Sequence, residues 1–495
     1  MLQVGIDDMA LYVPSLYLEL SELAEKRGIP YEKLKHGLDL ERMAVCDAHE
    51  DAATMAAEAV LELFHHNALN PNEIGRIYLG TESALDGAKP TVTYAVGMVE
   101  AALSEKFGAR ALRRCDVVDL TFACIGATDA LQNCLDWVRG DVSRQAIVVA
   151  SDMAKYELGS TGEYTQGAGA VAMLIKHNPR LMTIRDCFGV GMESVHDFFK
   201  PRRTFTKSDL VQSVLAEAGI LNAQAEKVLH SLSAKNETLF STPDKTLEIF
   251  RETPVFDGQY SNLCYTNRAL EALEHFREQT DNQSNTPIFD RWKRMVFHLP
   301  YAAHARRIGV DIYLSEMARL GKLRDLEAVA NTVAPLAADF ADAKSFAKAQ
   351  NAYLKSISET ADYQNFVKTK LENASKASSQ VGNVYTASIF LALMSALELE
   401  LVDNQDITNE KYGFVAYGSG SKAKAFEGVL QAQWREVVSQ FNIFAKLNNR
   451  QAISFEQYEA LHTGHISESI NGATGKFQLV AIGGEGQLEG ARRYK

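Results

Sequence analysis

Residues 119–140 read DLTFACIGATDALQNCLDWVRG, and the fold turns on how this stretch is divided. The segment CDVVDL (115–120) is short, apolar and rich in β-branched residues, which predicts a buried strand. GATDALQNCLDWVRG (126–140) carries apolar residues at helical spacing and ends at Gly140, which predicts a helix. Cys124 falls at the junction, among Ala123, Gly126 and Ala127. A helix N-terminus favours a thiolate, and its backbone N–H groups can stabilise an oxyanion on a thioester carbonyl. The alternative is a small buried structural cysteine. The stretch alone leaves both readings open.

The same alternation continues outward. Strands are predicted at 76–83 (RIYLGTES), 145–152 (QAIVVASD), 168–176 (AGAVAMLIK), 294–301 (RMVFHLPY) and 412–421 (YGFVAYGSGS). Helices are predicted at 50–67 and 93–108, the second closed by Gly108. Strands alternating with helices indicate a layered α/β fold. The pattern occurs twice, over residues 1–180 and 286–430, each time with a strand running into a functional-looking turn. A connecting region spans 181–285, and its polar stretch at about 201–250 reads as a helical insertion. EQTDNQSNTP (278–287) reads as a loop, and 431–495 as a C-terminal extension ending in AIGGEGQLEGARRYK.

The chain has 495 residues, 46% of them apolar, which suits two globular units. A net charge of −12 disfavours a nucleic-acid partner. Basic clusters at Lys200–Arg203 and Arg306–Arg307 could still hold a small phosphorylated ligand. No basic, apolar leader opens the sequence, and no run of about 18 uninterrupted apolar residues predicts a membrane span. Six cysteines without a C-x-x-C pair fit a reducing, cytoplasmic setting. No metal-ligand spacing is found, so no metal is expected; the pair His65-His66 reads as an exposed helix end.

Three further stretches bear on chemistry. In GTESALDGAKPT (80–91), Glu82 ends an apolar strand, where a desolvated carboxylate gains the raised pKa of a general base; a helix N-terminal acid is the alternative. In VFHLPYAAHARR (296–307), His298 lies in an apolar strand that Pro300 ends, a position suited to acid–base work or to a satisfied core histidine. His304 follows on a predicted helix. In VAYGSGSKAKAF (415–426), Gly418, Gly420 and Ala423 imitate a dinucleotide fingerprint, but helix-like sequence continues where a second strand and an acid are required. A nicotinamide-dependent dehydrogenase is therefore a weak reading.

Together these stretches resemble one family, 3-hydroxy-3-methylglutaryl-CoA synthase of the thiolase-like superfamily, and most closely its bacterial forms. GTESALDGAKP, DLTFACIGATDALQ, ASDMAKY, STGEYTQGAGAVAML, DFFKP, PVFDGQYSNLCY, FHLPY, GNVYTASIF and YGSGS occur in family order from about residue 4 to 430. The resemblance implies a five-layered α/β/α/β/α sandwich of two duplicated halves, and a homodimer. It implies no cofactor beyond the substrates acetyl-CoA and acetoacetyl-CoA. Cys124 would carry the acetyl group, Glu82 would remove a methyl proton, and His298 would orient the acceptor ketone and supply acid catalysis. Asp152 and Asp257 would be supporting acids, and Tyr156 would line the acetyl site. Asn383 and Ser419 would contact acetoacetyl-CoA or order its site, with Gly167 and Gly169 giving the backbone room. Many members place a lysine five residues after the histidine. Here that residue is Ala303, so Arg306 or Arg307 would meet the CoA phosphates, and an acyl carrier protein is the alternative acyl donor. The glutamate of GTES argues against a ketoacyl synthase III, which usually pairs cysteine with histidine and asparagine.

Overall fold

The apolar run expected at 145–152 forms a strand over Gln145–Met153, in the middle of the first half of a ten-stranded sheet. Its side chains alternate between the two faces, as the period of a strand demands. Ile147 and Val149 pack with the helices Ala52–His66 and Thr91–Phe107, while Val148 and Ala150 pack with the helix Gly126–Arg139. Both faces are covered, which explains a continuous apolar run rather than a polar–apolar alternation.

A computed structural model describes residues 3–219, 225–233, 245–280, 285–472, 474–484 and 486–495. They divide into two units, Met1–Asp197 with Gly258–Lys495, and Phe198–Asp257. The first unit holds the sheet. Its first half runs Asp116–Leu120, Ile74–Gly80, Gln145–Met153, Ala168–His177, Val4–Tyr12. The first three strands are parallel, and the next two each run antiparallel to their neighbour. Met182–Ile184 joins this half to Lys422–Leu430, followed by Lys411–Gly418 and, parallel to it, Arg294–Phe297. This is the thiolase-like α/β architecture.

Two buried turns of the same form feed the two core helices. Ala123–Ile125 leads into Gly126–Arg139, and Tyr385–Ala387 leads into Ser388–Val402. Each turn contains a non-glycine residue at positive φ, Ala123 at 39° and Tyr385 at 41°. Such a conformation is uncommon and persists where surrounding packing fixes it. By composition Tyr385–Val402 is apolar enough to span a bilayer, with a mean hydropathy of 1.5, but 78% of it is buried inside the protein.

The structure departs from the sequence-based expectation at three places and adds a strand that the sequence reading did not assign. The run at 115–120, expected as a buried strand, is an edge strand whose residues are exposed or half-buried. Val4–Tyr12 is a strand although it contains Asp7 and Asp8, both fully buried. The register shifts between Ile6 and Asp8, and both acids find partners: Arg180 donates to Asp7 at 2.7 Å and Asn67 to Asp8 at 2.8 Å. The residues after GSGS are a strand, Lys422–Leu430, that folds back on Lys411–Gly418 as a hairpin rather than continuing as helix. The strand before His298 stops at Phe297, so His298 stands just beyond it.

In the second unit the described residues form the helices Lys207–Glu217 and Ala225–Ser233 and two small antiparallel ladders, Phe198–Phe199 with Val255–Phe256 and Arg203–Thr206 with Thr246–Ile249. The stretch expected as a helical insertion falls here, with 220–224 and 234–244 outside the described residues.

Candidate active site

Three neighbouring parallel strands bring their carboxyl ends to one place, where open α/β sheets hold their ligands. Ile74–Gly80 ends before Glu82, Asp116–Leu120 before Cys124, and Gln145–Met153 contains Asp152. Gly80 is in register with both Leu120 and Ala150, so the three ends are level. The Cys124 thiol donates to Glu82 Oε1 at 2.7 Å. Cys124 is buried and Glu82 half-buried.

Asp152 fixes the Glu82 turn from beneath. Its Oδ1 accepts from Glu82 N–H at 2.7 Å, from Ser83 N–H and Oγ at 3.1 Å, and from Thr81 Oγ1 at 2.9 Å. Its Oδ2 accepts from the N–H of Thr386 at 2.9 Å and from its hydroxyl. Complete burial raises the Asp152 pKa, and these donors oppose the rise by favouring the carboxylate. With its oxygens so engaged, Asp152 ties the Glu82 turn of one half to the Tyr385–Ala387 turn of the other.

His298 enters from the second half. Its backbone N–H donates to Val415 O at 3.1 Å, and its Nδ1 lies 2.5 Å from Ser388 Oγ. Ser388 Oγ also accepts from Leu299 N–H at 3.1 Å, so one hydroxyl sets both ring and backbone. Burial lowers the His298 pKa to about 3, against a smaller rise from a hydrogen bond to the Tyr385 backbone. The imidazole is therefore neutral at physiological pH. Tyr265 braces it by donating to the His298 carbonyl at 2.9 Å. The Tyr265 ring stacks between Tyr417 and His304, with centroids 4.4 and 4.8 Å away. His304 is thus a buried stacking partner, its pKa driven well down by burial, then by His298 and Arg307.

The remaining expected residues fall in distinct settings. Tyr156 is buried, and burial raises its pKa, helped by Cys124 and Glu82; its ring packs on Gly162, where a Cβ would lie 2.1 Å from it. Asn383 is buried, accepts from Tyr385 N–H at 2.9 Å and bridges to Gln166, so it shapes the Tyr385 turn. Gly167 lies against the same crossing, where a Cβ would come within 2.4 Å of Val381 O; one at Gly169 would meet Tyr12 O at 3.1 Å. Ser419 is half-buried in the loop after Gly418. At Gly418 itself a Cβ would lie 2.7 Å from Ile125 Cγ2 and 2.9 Å from Ile125 N, so that strand end presses on the Cys124 turn.

Arg306 stands apart from this group. Its side chain is 42% exposed and pairs with Asp39 at 2.9 Å, beside a cavity of about 470 Å³ that Lys368 and Lys376 also line. Arg307 donates to Tyr301 Oη at 3.0 Å. Asp257 is exposed and is the last residue of the second unit. No group of three metal-ligating side chains occurs among the described residues.

Sequence reading assigned nothing to Asp197, Thr386, Ser388 or Tyr265. Asp197 is fully buried and holds the glycine-rich loop, accepting from Gly420 N–H at 2.8 Å and from Tyr417 Oη at 2.6 Å. All four lie inside quoted motifs (DFFKP, GNVYTASIF, PVFDGQYSNLCY), so a signal existed, but their partners are far away in sequence.

With this geometry in hand, comparison with known proteins is specific. Family models described as the N-terminal and C-terminal regions of hydroxymethylglutaryl-coenzyme A synthase match residues 2–179 and 240–467. A hydroxymethylglutaryl-CoA synthase of Haloferax volcanii is 30% identical over 472 residues, covering 94% of this chain and 93% of its own. The solved structure of MvaS in complex with 3-hydroxy-3-methylglutaryl coenzyme A aligns with a TM-score of 0.74 at 25% identity, covering 100% of this chain and 99% of that one. The curacin-pathway HMG synthase in complex with acetyl donor-ACP shares the fold, with a TM-score of 0.70 at 20% identity and coverage of 100% and 99%.

Proposed function

The chain belongs to the hydroxymethylglutaryl-coenzyme A synthase family, and from that premise we propose that Cys124, Glu82 and His298 carry the condensation of acetyl-CoA with acetoacetyl-CoA. The reaction consumes one water and yields 3-hydroxy-3-methylglutaryl-CoA and free CoA, the step that feeds the mevalonate route to isoprenoids.

The observation that carries the assignment is the thiol of Cys124 set 2.7 Å from the Glu82 carboxylate. Cys124 sulfur attacks the acetyl-CoA thioester, its proton passes to Glu82 and on to the departing CoA sulfur, and an acetyl-cysteine remains. Covalent capture divides one difficult condensation into easier steps. Glu82, a carboxylate again, takes a proton from the acetyl methyl group. The resulting carbanion attacks the ketone of acetoacetyl-CoA, and the new alkoxide takes that proton from Glu82, which returns to the carboxylate. Water then cleaves the thioester and restores the thiol. A neutral His298 serves the ketone as a hydrogen-bonding partner at a fixed orientation, which favours the developing alkoxide without a buried charge in the resting site.

Tyr156 lines the acetyl group, while Asp152, Asn383 and Gly167 hold the turns that shape its pocket. Ser419 serves the acetoacetyl side. Arg306, with Lys368 and Lys376 around its cavity, offers cations for the CoA phosphates in place of the lysine absent at Ala303. The protein works as a cytoplasmic homodimer in this reading; six cysteines that form no disulfide suit a reducing compartment.

Mass spectrometry after exposure to acetyl-CoA tests the reading. An acetyl group on Cys124, absent from Cys124→Ala, is the required outcome, and acetylation elsewhere overturns the mechanism. Turnover of acetoacetyl-CoA against acetoacetyl-acyl-carrier-protein tests the donor. A strong preference for the carrier form would reassign the protein to β-branch chemistry on polyketides.

A further inference from the structure

The backbone of Tyr156 is held on both sides by a chain of groups that reaches the C-terminal part of the molecule. Tyr156 N–H donates to Gln166 Oε1 at 2.6 Å, and the Tyr156 carbonyl lies 2.9 Å from His462 Nε2. His462 Nε2 also lies 3.3 Å from Gln166 Oε1. Both neighbours can only accept, so Nε2 carries its proton and points it at Tyr156. Gln166 Nε2 donates to Tyr458 Oη at 2.8 Å, and Tyr458 Oη donates to Glu163 Oε1 at 3.1 Å. Glu163 is buried and takes a bidentate pair from Arg27 at 2.7 and 2.9 Å. Every donor in the chain has an acceptor, with the direction of each bond fixed.

His462 and Tyr458 lie on one helix, Phe455–His462, and that helix is itself anchored. Ser454 and Gln457 form a capping box at its start, and Phe455 N–H donates to Glu22 at 2.7 Å. The network also reaches the opposite wall of the site, because Gln166 pairs with Asn383, two residues before Tyr385. The Tyr156 carbonyl is held from the helix by His462, and its N–H by Gln166, which the same helix holds through Tyr458.

We propose that the Phe455–His462 helix positions Tyr156, with His462 and Tyr458 as positioning residues for the acetyl site. The inference rests on the functional reading above and gives a task to a segment of the C-terminal extension that the sequence left without one. The two residues touch no reacting atom; they act through the aim of the Tyr156 side chain.

A double-mutant cycle on the acetylation of Cys124 tests this in the full-length protein. Tyr156→Phe removes the aimed hydroxyl, and His462→Ala removes the brace. His462→Ala is expected to slow acetylation about tenfold in the parent and less than about twofold in Tyr156→Phe, the non-additivity of residues that act as a unit. His462→Gln, which keeps an N–H to donate, is expected to recover most of the rate. If His462→Ala does not fold, Tyr458→Phe, which deletes one hydroxyl, runs the same cycle. Equal losses in both backgrounds, or no loss in Tyr156→Phe alone, overturns the proposal. A parent protein that never acetylates Cys124 overturns the functional reading and this inference together. A parent that acetylates with additive losses overturns only the inference.

Discussion

The Cys124 thiol donates to the Glu82 carboxylate at 2.7 Å across a sequence separation of 42 residues. The contact exists because the strands preceding them are parallel neighbours with Gly80 level with Leu120. A nucleophile and a base that share a hydrogen bond before substrate arrives need no rearrangement to begin. Removing the base separates the half-reactions. Glu82→Ala should still acetylate Cys124, more slowly, because water can take the thiol proton. Condensation should fall by about 10²–10⁴-fold, the usual contribution of a positioned base. Rapid-quench mass spectrometry, reading acetyl-enzyme beside product, checks both halves. Loss of acetylation with condensation intact would reverse the assignment.

Asp152 is an anchor whose charge matters more than its size. Asp152→Asn keeps the volume but aims an amide N–H₂ at N–H and O–H donors. Stability should fall by about 3 kcal/mol, as when one partner leaves a buried charged network, and the Glu82 turn should loosen. Urea unfolding beside the acetylation and condensation rates reads both effects. An unchanged midpoint with normal condensation would show that the Glu82 turn stands without it.

The buried imidazoles give stability a pH dependence of definite sign. His298 protonates only near pH 3 when folded, against about 6.5 for a histidine in an unfolded chain. The unfolded chain therefore binds the extra proton first, and stability is complete above about 6.5 and falls as pH drops towards 3. The ceiling for His298 is about 5 kcal/mol, and His304, lowered in the same direction, adds to it. His298→Gln should flatten the fall in urea midpoint between pH 7 and 5 relative to the parent. Equal slopes would mean that the ring takes up its proton while folded.

Gly418→Ala inserts a methyl group 2.7–2.9 Å from Ile125, the residue after the nucleophile. Overpacking of this kind usually destabilises by about 1–3 kcal/mol. The strain falls on the Cys124 turn, so acetylation should slow while the fold survives. Circular dichroism beside the acetylation rate distinguishes that outcome from general unfolding, and an unaffected rate would show that the turn can give way.

The elements that sequence reading located are those whose signal is local. Apolar runs at 145–152 and 168–176 became strands because burial on both faces needs only apolar side chains in succession, whereas the run at 115–120 pairs at the edge of the sheet with its residues exposed or half-buried. Gly108, at φ 78°, ends its helix as expected. What escaped is held by distant partners. Val4–Tyr12 hides its strand behind Asp7 and Asp8, and only Arg180 and Asn67 make those acids tolerable in a core. Lys422 and Lys424 disguise a strand because Asp129, on the Cys124 helix, takes both lysines at 2.7 Å. The motifs marked Cys124, Glu82 and His298 individually. Their supports, Thr386, Ser388 and Asp197, became visible only when the chain had closed over itself.

The paired turns at Ala123 and Tyr385 have a bearing on stoichiometry. Residue by residue, Thr386 stands in the second turn where Cys124 stands in the first. Its hydroxyl already donates to Asp152 and lies 2.9 Å from Gly80 O, so it is a fastening and not a nucleophile. On the proposed mechanism the chain has one acyl-accepting position, Cys124, and Thr386, its counterpart in the second turn, is a fastening beside it. Titration with acetyl-CoA should accordingly saturate at one acetyl group per polypeptide.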